Sequence, residues 1–223
     1  MTRGLSLSVR DLRVHSPNGR CLLDVPHLEM SAGSCLVVRG PSGAGKSTLL
    51  NALAGLQPVV SGSISWGVVS ISVLVDRVRT AFRRDYIGFI FQDHLLFEEL
   101  SAKENAAITA AYAPRAERAE IYAAADQMLM QLQVPQGTRT VASYSGGERQ
   151  RVAVARALSG NPGIILADEP TASLDRETAT ALAHELLRIA REDGRTVVIV
   201  SHDPVLHELA PRLINMVDGK IVP

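Results

Sequence analysis

The sequence predicts an α/β fold in which helices flank a parallel sheet, with an antiparallel β lobe and an α-helical lobe attached. Short apolar runs alternate with helical patterns, which is typical of a parallel sheet. The N-terminal strands alternate apolar with polar residues, as half-buried strands do. From about Ser101 to Leu132 alanine and methionine are frequent and glycine is absent, which favours helix. We expect one domain, with a core and β lobe over 1–92 and 159–223 and a helical lobe over 93–158.

The first half of the chain is predicted to be mostly strands. Strands are expected at "LSLSVRDLRV" and "CLLDVPHLEM", separated by the turn "SPNGR". The run "SCLVVRG" predicts a buried parallel strand, and "STLLNALAG" predicts a helix that ends at Gly55. Further strands are expected at "SGSISW", "VVSISVL" and "DYIGFIFQ", and we interpret Trp66 and Tyr86 as core residues.

The second half of the chain is predicted to place helices around two buried strands. The segment "RVAVARALSG" continues the helical lobe to a glycine stop. Strands are expected at "GIILADEP" and "RTVVIVSHD", on either side of the helix "ETATALAHELLRIARED". We interpret Arg149, Arg151 and Arg156 as a solvated helix face, although a role in the site is also open.

Composition narrows the class of protein. The 223 residues carry a net charge of +0, so the electrostatic footprint of a nucleic-acid-binding protein is missing and we expect no nucleic acid partner. Cys21 and Cys35 are interpreted as small core residues of a reduced protein. The N-terminus lacks the apolar region of a secretory signal, and the longest apolar runs are far shorter than the roughly 20 residues that span a bilayer.

A glycine-rich loop carries the strongest chemical signal. Residues Gly40–Ser47 fit G-x-x-x-x-G-K-S/T, and they follow a predicted strand and open a predicted helix. Backbone N–H groups of such a loop surround a phosphate, lysine reaches the β- and γ-phosphates, and the serine hydroxyl binds Mg²⁺. The expected nucleotide-binding residues of this loop are Gly40, Pro41, Ser42, Gly43, Ala44, Gly45, Lys46, Ser47 and Thr48.

A pair of acidic residues is expected to complete the phosphate site that the glycine-rich loop begins. Asp168 and Glu169 end the predicted strand in "IILADEP". We expect Asp168 to hold Mg²⁺ and Glu169 to act as general base toward an attacking water. These features predict a nucleoside triphosphatase. A kinase, a GTPase and a transport motor remain open at this point, although no "NKxD"-like guanine reader is present.

A second glycine pair, in "YSGGE", is not needed by a single nucleotide. The chain contains, in order, the GKST loop, Gln92 after "DYIGFIF", the "YSGGE" pair, "LADEP", "SLD" and His202 after "VVIVS". This series of motifs resembles the ATP-binding cassette (ABC) family over nearly the whole chain. The resemblance implies a P-loop NTPase (RecA-like) core with the two lobes described above. It also implies an Mg²⁺-dependent ATPase.

The resemblance gives the second pair a role. It implies a homodimer, or a pair of cassettes, with two ATP molecules between them. Ser145, Gly146 and Gly147 of one chain would then face the γ-phosphate held by the other, where a Cβ would block close approach. The resemblance also implies that His202 contacts the γ-phosphate. It implies that Gln92 contacts Mg²⁺ or water and acts as a hinge of the helical lobe, and that Asp175 reaches across the dimer and couples the two sites.

Two positions depart from the family pattern. Tyr144 stands where leucine usually begins the signature, and we interpret it as a packing residue. His15 stands where an aromatic residue usually stacks on adenine. Imidazole can stack too, over a smaller area and with a pH-dependent charge. A surface histidine in a turn remains the alternative.

The subgroup suggested by "SGGERQRVAVARALSGNPGIILADEPTASLD" includes lipoprotein-releasing, macrolide-exporting and cell-division ATPases. In that subgroup the cassette lies at the cytoplasmic face of the bacterial inner membrane and drives a membrane subunit, which is expected to dock near Gln92. Leu95, Leu96 and Phe97 are either core or partner surface. The alternatives are a regulatory ATPase that moves nothing, an importer of amino acids or metals, and a soluble cassette acting on ribosomes or DNA. The last usually has two cassettes or a coiled-coil insertion.

Overall fold

The computed structural model describes residues 3–135 and 137–222, which form ten strands and seven α-helices within those ranges. The strands are β1 (Leu7–His15), β2 (Cys21–Met30), β3 (Cys35–Arg39), β4 (Ser61–Trp66), β5 (Val69–Ser70), β6 (Ile87–Ile90), β7 (Ile164–Asp168), β8 (Thr196–Val200), β9 (Leu213–Val217) and β10 (Lys220–Val222). The helices are α1 (Lys46–Leu53), α2 (Asp76–Tyr86), α3 (Ala102–Ala106), α4 (Arg118–Gln131), α5 (Gly146–Ser159), α6 (Arg176–Arg191) and α7 (Pro204–Leu209).

The central sheet has the order β10-β9-β3-β8-β7-β6, and all its pairings are parallel except that of β10 with β9. Every residue of β7 and β8 is buried, because helices cover both faces of a parallel sheet. The carboxyl ends of β3, β7 and β8 meet at one edge of the sheet. In open α/β sheets this is the edge where ligands bind.

The second sheet is antiparallel, with the order β2-β1-β4-β5. Its inner face packs on α1 and shares one apolar core with the central sheet. Trp66 is fully buried there, as predicted, and its Nε1–H donates to the carbonyl of Leu53 at 2.9 Å. This bond ties the β lobe to the end of the helix that follows the glycine-rich loop.

The helical lobe packs α3, α4 and α5 around a small core of its own. Tyr144 belongs to this core, since its side chain is 5% exposed and its hydroxyl donates to the carbonyl of Pro135 at 3.0 Å. Arg139 covers the ring at 4.2 Å. Tyr144 therefore acts in packing, as interpreted from the sequence. Every helix within 3–135 and 137–222 is too short or too polar to cross a bilayer.

Several sequence-based boundaries were wrong. The strand expected at "VVSISVL" is confined to Val69–Ser70, and a 3₁₀ turn follows it. The strand expected at "DYIGFIFQ" begins only at Ile87, because Asp85 and Tyr86 end α2, a helix that was not predicted from the sequence. Tyr86 is 43% exposed and stacks on Phe82, so it is not a core residue.

The C-terminal segment and the cysteines also differ from expectation. Helix α7 and the hairpin β9–β10 were not assigned from the sequence, although β9 pairs with β3 inside the central sheet. Cys35 is buried as expected, and burial raises its pKa to about 12, so its thiol stays protonated. Cys21 is exposed, because it begins an edge strand beside a turn.

Candidate active site

A cavity of about 820 Å³ lies at the carboxyl edge of the central sheet. The structure brings together most of the residues that the sequence singled out. Those that line the cavity are Ser42, Gly43, Ala44, Gly45, Lys46, Ser47, Thr48, Gln92, Asp168, Glu169 and His202. Gly40 and Pro41 are not part of this lining, but their carbonyls accept hydrogen bonds from Lys46. The cavity is large enough to admit a nucleotide, since ligand sites commonly measure about 300–1,000 Å³.

The glycine-rich loop wraps the N-terminus of α1. Gly45 precedes the helix with φ 95°, a left-handed conformation that side chains rarely adopt. A Cβ at Gly40 would lie 2.1 Å from the carbonyl oxygen of Met216, so this position also requires glycine. Lys46, Ser47 and Thr48, the first residues of α1, line the cavity, so the helix N-terminus at this point is suited to an anion.

Lys46 is held inside the loop. Its side chain is buried, and its ammonium donates to the carbonyls of Gly40 at 2.8 Å and Pro41 at 3.0 Å. His202 Nε2 lies 3.3 Å from the same nitrogen. The positive charge is thus fixed at the mouth of the loop by neutral acceptors, and a phosphate that entered the cavity would meet it there.

Asp168 ends β7 with one unsatisfied oxygen. The residue is 7% exposed, and its Oδ1 has no hydrogen-bond partner among the described residues. Burial raises the pKa of Asp168, while a hydrogen bond with Ser47 acts in the opposite direction. A buried carboxylate oxygen without a partner is costly. Carboxylate and hydroxyl oxygens are hard ligands, so this pair fits Mg²⁺.

The backbone conformation of Glu169 and hydrogen bonds from the residues that follow β8 hold its carboxylate in the cavity. Its φ of 48° is left-handed, a conformation that persists in non-glycine residues only when the surroundings enforce it. One carboxylate oxygen accepts the backbone N–H of His202 at 3.0 Å and the Ser201 hydroxyl at 3.3 Å. The other lies 3.3 Å from His202 Nε2. Glu169 and His202 therefore form one unit across two neighbouring strands.

Sequence reasoning missed several residues of this cavity. Ser201 is fully buried and positions Glu169, and its place directly before His202 was the available signal. Arg20, Cys21 and Leu22 contribute one wall, and Gly219 of the C-terminal hairpin contributes another. No local sequence pattern predicts that these residues line the cavity, because strand pairing alone brings them there.

The sequence and the fold of this chain match those of known proteins. The sequence profile of the ABC transporter family matches residues 23–172, well over half of the chain. The chain belongs to the ABC transporter family. It is an ABC ATPase, and its cassette fold is the one expected from the sequence.

Relatives and solved structures agree with this membership. The lipoprotein-releasing system ATP-binding protein LolD of Bacteroides fragilis is 40% identical over 202 residues, covering 87% of this chain and 90% of LolD. The macrolide export ATP-binding/permease protein MacB of Shigella sonnei is 37% identical over 223 residues, covering 97% of this chain and 34% of MacB. The dimeric cassette MJ0796, a bacterial ABC transporter cassette, superimposes with a TM-score of 0.89 at 32% identity, over 97% of each chain. A second dimeric MJ0796 structure holds ADP and Pi after hydrolysis.

The second glycine pair of the cassette lies outside its own cavity. Ser145 caps α5, its hydroxyl accepts the Glu148 N–H at 3.3 Å, and Glu148 accepts the Ser145 N–H at 2.7 Å. Ser145 and Gly146 are exposed, and neither they nor Gly147 line the 820 Å³ cavity. The N-terminus of α5, a helix of 14 residues, is therefore already formed and open to solvent.

Asp175 lies on a segment that touches this glycine pair. A Cβ at Gly147 would lie 3.3 Å from the carbonyl oxygen of Ser173. Asp175 caps α6 by accepting the Thr178 N–H at 3.0 Å and its hydroxyl at 2.7 Å, and these bonds lower its pKa. It is absent from the cavity lining as well. The two segments therefore share one exposed surface of the cassette.

The remaining candidates fall around the cavity. His15 is not among the cavity-lining residues, although it pairs with Cys21, which is. Leu95 and Phe97 are 56% and 54% exposed, whereas Leu96 packs partly on the core of the helical lobe. The solvated-face interpretation of the three arginines was wrong for Arg156. Its guanidinium is partly buried and donates to the carbonyls of His94 and Leu95, in the loop that follows Gln92.

Proposed function

We propose that this cassette closes as an ATP-sandwiched dimer and thereby drives an integral membrane partner. The observation that carries the proposal is the separation of the two glycine motifs. One lines the cavity, and the other is exposed at the N-terminus of α5, away from it. A site divided in this way is incomplete until a second copy supplies its exposed half. The dimeric state of MJ0796 supports the same arrangement.

ATP binding is assigned to the glycine-rich loop and its strand partners. In this proposal the N–H groups of the loop, from Gly40 to Thr48, surround the phosphates, and Lys46 neutralises their charge. Ser47, Asp168 and Gln92 are the residues that would hold Mg²⁺. The unsatisfied Oδ1 of Asp168 is the observation that favours a cation there. When bound, the ion neutralises charge on the phosphate oxygens.

Hydrolysis is assigned to Glu169 as the general base. Its carboxylate lines the cavity, and hydrogen bonds from Ser201 and the His202 backbone keep it in one orientation. A carboxylate held in this way accepts a proton from an attacking water without reorganising. His202, 3.3 Å from both the Lys46 ammonium and the Glu169 carboxylate, would contact the γ-phosphate and fix the geometry of that water.

The exposed half of the site is assigned to the nucleotide of the partner. Ser145, Gly146, Gly147 and the N-terminus of α5 would face the γ-phosphate in the second copy. Asp175 would reach across the dimer and couple the two sites. The role is supported by the closeness of the two segments, since a Cβ at Gly147 would lie 3.3 Å from the carbonyl oxygen of Ser173, two residues before Asp175.

A membrane subunit is the proposed recipient of the closing motion. We place its docking surface at Leu95 and Phe97, which are exposed apolar side chains three and five residues after Gln92. This surface would lie at the cytoplasmic face of the inner membrane, with the cassette bound peripherally. The names of LolD and MacB favour a lipoprotein-releasing or export complex. A regulatory ATPase and an importer of amino acids or metals are the alternatives.

A pull-down tests the membrane partner. The tagged chain, recovered from detergent-solubilised native membranes, is expected to bring with it a protein with few spans and a large extracytoplasmic domain. Phe97→Asp should abolish this recovery, because burying an unpaired charge at an apolar contact is costly. Tyr112→Asp is the matched control, since Tyr112 is an exposed aromatic residue of the same lobe. Equal loss with both variants, or recovery of ribosomal or nucleic-acid components instead, contradicts the proposal. A partner with five or more spans and no such domain favours the importer.

The adenine contact is tested at His15. We expect His15→Ala to weaken ATP binding a few-fold, which corresponds to about 0.5–1 kcal/mol of aromatic contact. The measurement is the Kd of a fluorescent ATP analogue. His27→Ala, which removes an exposed histidine on the neighbouring strand, should leave the Kd unchanged. An unaltered Kd in the His15 variant would make His15 a surface residue of the turn.

A further inference from the structure

The turn that follows β8 carries the two groups that donate hydrogen bonds to the Glu169 carboxylate. We call residues 201–203 the β8 turn. The Ser201 hydroxyl donates to Glu169 Oε2 at 3.3 Å, and the His202 N–H donates to the same oxygen at 3.0 Å. The Asp203 N–H donates to the Ser201 hydroxyl at 3.0 Å, so this hydroxyl is itself held in place. The orientation of Glu169 therefore depends on three consecutive residues that lie outside any strand or helix.

His207, on α7, contacts both ends of the β8 turn. Its imidazole Nε2 lies 2.8 Å from the carbonyl oxygen of Ser201. A carbonyl oxygen can only accept a hydrogen bond, so this contact requires a proton on Nε2. The His207 backbone N–H donates to the carbonyl of Asp203 at 3.2 Å. The side chain of His207 thus holds the first residue of the turn, and its backbone holds the last.

His207 and Glu169 bind opposite edges of one peptide unit. The Ser201 carbonyl, which accepts from His207, and the His202 N–H, which donates to Glu169, belong to the same planar group. In a trans peptide the C=O and the N–H point in opposite directions. A rotation of this unit about the chain would break both bonds at once. The imidazole of His207 therefore fixes the direction in which the His202 N–H points.

The Ser201 carbonyl depends on this contact. Ser201 is fully buried, and its N–H donates to the carbonyl of Val38 on β3 at 3.2 Å, so the sheet holds the amino side of the turn. Within residues 3–135 and 137–222, the group that donates to the Ser201 carbonyl is the imidazole of His207. A buried carbonyl without a donor is costly. Loss of the imidazole should therefore turn this peptide unit toward another donor or toward water.

We propose that His207 is a positioning residue for ATP hydrolysis. It holds the peptide unit between Ser201 and His202 in the orientation in which both donors of the β8 turn reach Glu169. His207 does not line the 820 Å³ cavity, so it acts through these residues and makes no contact with the nucleotide. This inference rests on the proposed function of Glu169 as general base. It adds a residue outside the cavity that orients the base before any nucleotide binds.

Hydrolysis by the purified full-length chain tests the proposal. His207→Ala is expected to lower kcat about fivefold to tenfold, because small displacements of a reacting group cost that much. The KM for ATP should change less than about twofold, since ground-state binding of the nucleotide does not involve His207. His184→Ala is the matched control, because His184 is an exposed histidine on α6 outside the cavity lining, and its kcat should be unchanged. A rise in KM with unchanged kcat in His207→Ala would contradict the positioning role.

Two amide variants separate positioning from folding. The amide nitrogen of a glutamine side chain lies about as far from the backbone as Nε2 of histidine, so His207→Gln should keep the hydrogen bond and at least half of kcat. His207→Asn carries the same amide on a side chain shorter by one methylene, so it should lose kcat as His207→Ala does. Equal kcat in the glutamine and asparagine variants would overturn the proposal, even if His207→Ala does not fold.

Nuclear magnetic resonance of the chain with ¹⁵N-labelled histidines reads the hydrogen bond itself. In mildly alkaline buffer imidazoles are neutral, and the protonated and bare ring nitrogens have separate chemical shifts. The signals of His207 are those missing from His207→Gln. We expect the tautomer with the proton on Nε2 in the nucleotide-free chain. The other tautomer, or an equal mixture of the two, would overturn the proposal.

The outcomes distinguish the positioning role from the function on which it rests. If Glu169→Gln abolishes turnover and His207→Ala keeps full kcat, the positioning role is wrong and the general base stands. If Glu169→Gln keeps full turnover, the general base and the positioning role fall together.

Discussion

Glu169→Gln is expected to lower ATP turnover by about 100-fold or more, the range that a positioned general base contributes. The amide occupies nearly the same volume as the carboxylate but cannot accept a proton from water. The Ser201 and His202 donors that hold the carboxylate have one oxygen left to bind, so the fold should persist. The measurement is phosphate release at saturating Mg²⁺ and ATP.

The same variant also tests the dimer. Because the nucleotide is bound but not hydrolysed, the closed pair should accumulate, and light scattering in Mg²⁺ and ATP should give twice the mass of the monomer. Glu192→Gln is the control, since Glu192 is a surface carboxylate paired with Arg191 at the end of α6. It should leave turnover and mass unchanged. A monomer in Mg²⁺ and ATP would contradict the closing of the isolated chain around ATP.

Lys46→Ala is expected to abolish turnover and to weaken ATP binding by about 100-fold. Loss of a desolvated charge that pairs with an anion costs about 2–5 kcal/mol, and each 1.4 kcal/mol is tenfold in the Kd. In the free chain the Lys46 ammonium contacts two backbone carbonyls and His202 Nε2, and it forms no salt bridge within residues 3–135 and 137–222 that its removal would break. The loss should therefore appear in nucleotide binding and much less in thermal stability.

A lysine elsewhere on the surface provides the control for charge. Lys103 pairs with Asp126 on the helical lobe and is not part of the cavity lining, so Lys103→Ala should retain full turnover. Titration with a fluorescent ATP analogue gives the Kd of both variants, and a thermal melt checks the fold. Unchanged hydrolysis in Lys46→Ala would remove the assignment of the glycine-rich loop as the phosphate site.

Sequence-based predictions were correct where contacts between residues close in sequence determine the structure, and they failed where contacts between distant residues determine it. The glycine-rich loop, the strand that ends in Asp168 and the strand before His202 were predicted correctly, because local spacing decides where a strand ends and a helix begins. Errors fell where tertiary contacts override local preference. The apolar run "VVSISVL" has the composition of a strand, yet only Val69 and Ser70 find a partner strand, and the rest turns away.

Helix α2 was missed for the opposite reason, because its local sequence gives little sign of a helix that the structure contains. Its apolar residues share one face, but its composition is strongly polar and its one buried residue is Phe82, so it lacks the apolar content by which the other elements were predicted. Tyr86 looks like a core residue next to "IGFIF", but it ends this helix on the outer face. The C-terminal hairpin was missed because β9 is recognised only by its place beside β3.

The sequence by itself determined the chemistry of this protein, since the identity and order of its site residues are enough to predict an ATP-hydrolysing cassette. Only the tertiary structure decided how those residues meet. It places Ser201 under Glu169, leaves the second glycine pair facing solvent, and brings Arg156 to two carbonyls more than 60 residues earlier in the chain. Local patterns report backbone preference and burial, whereas these contacts depend on the packing of elements that are distant in sequence.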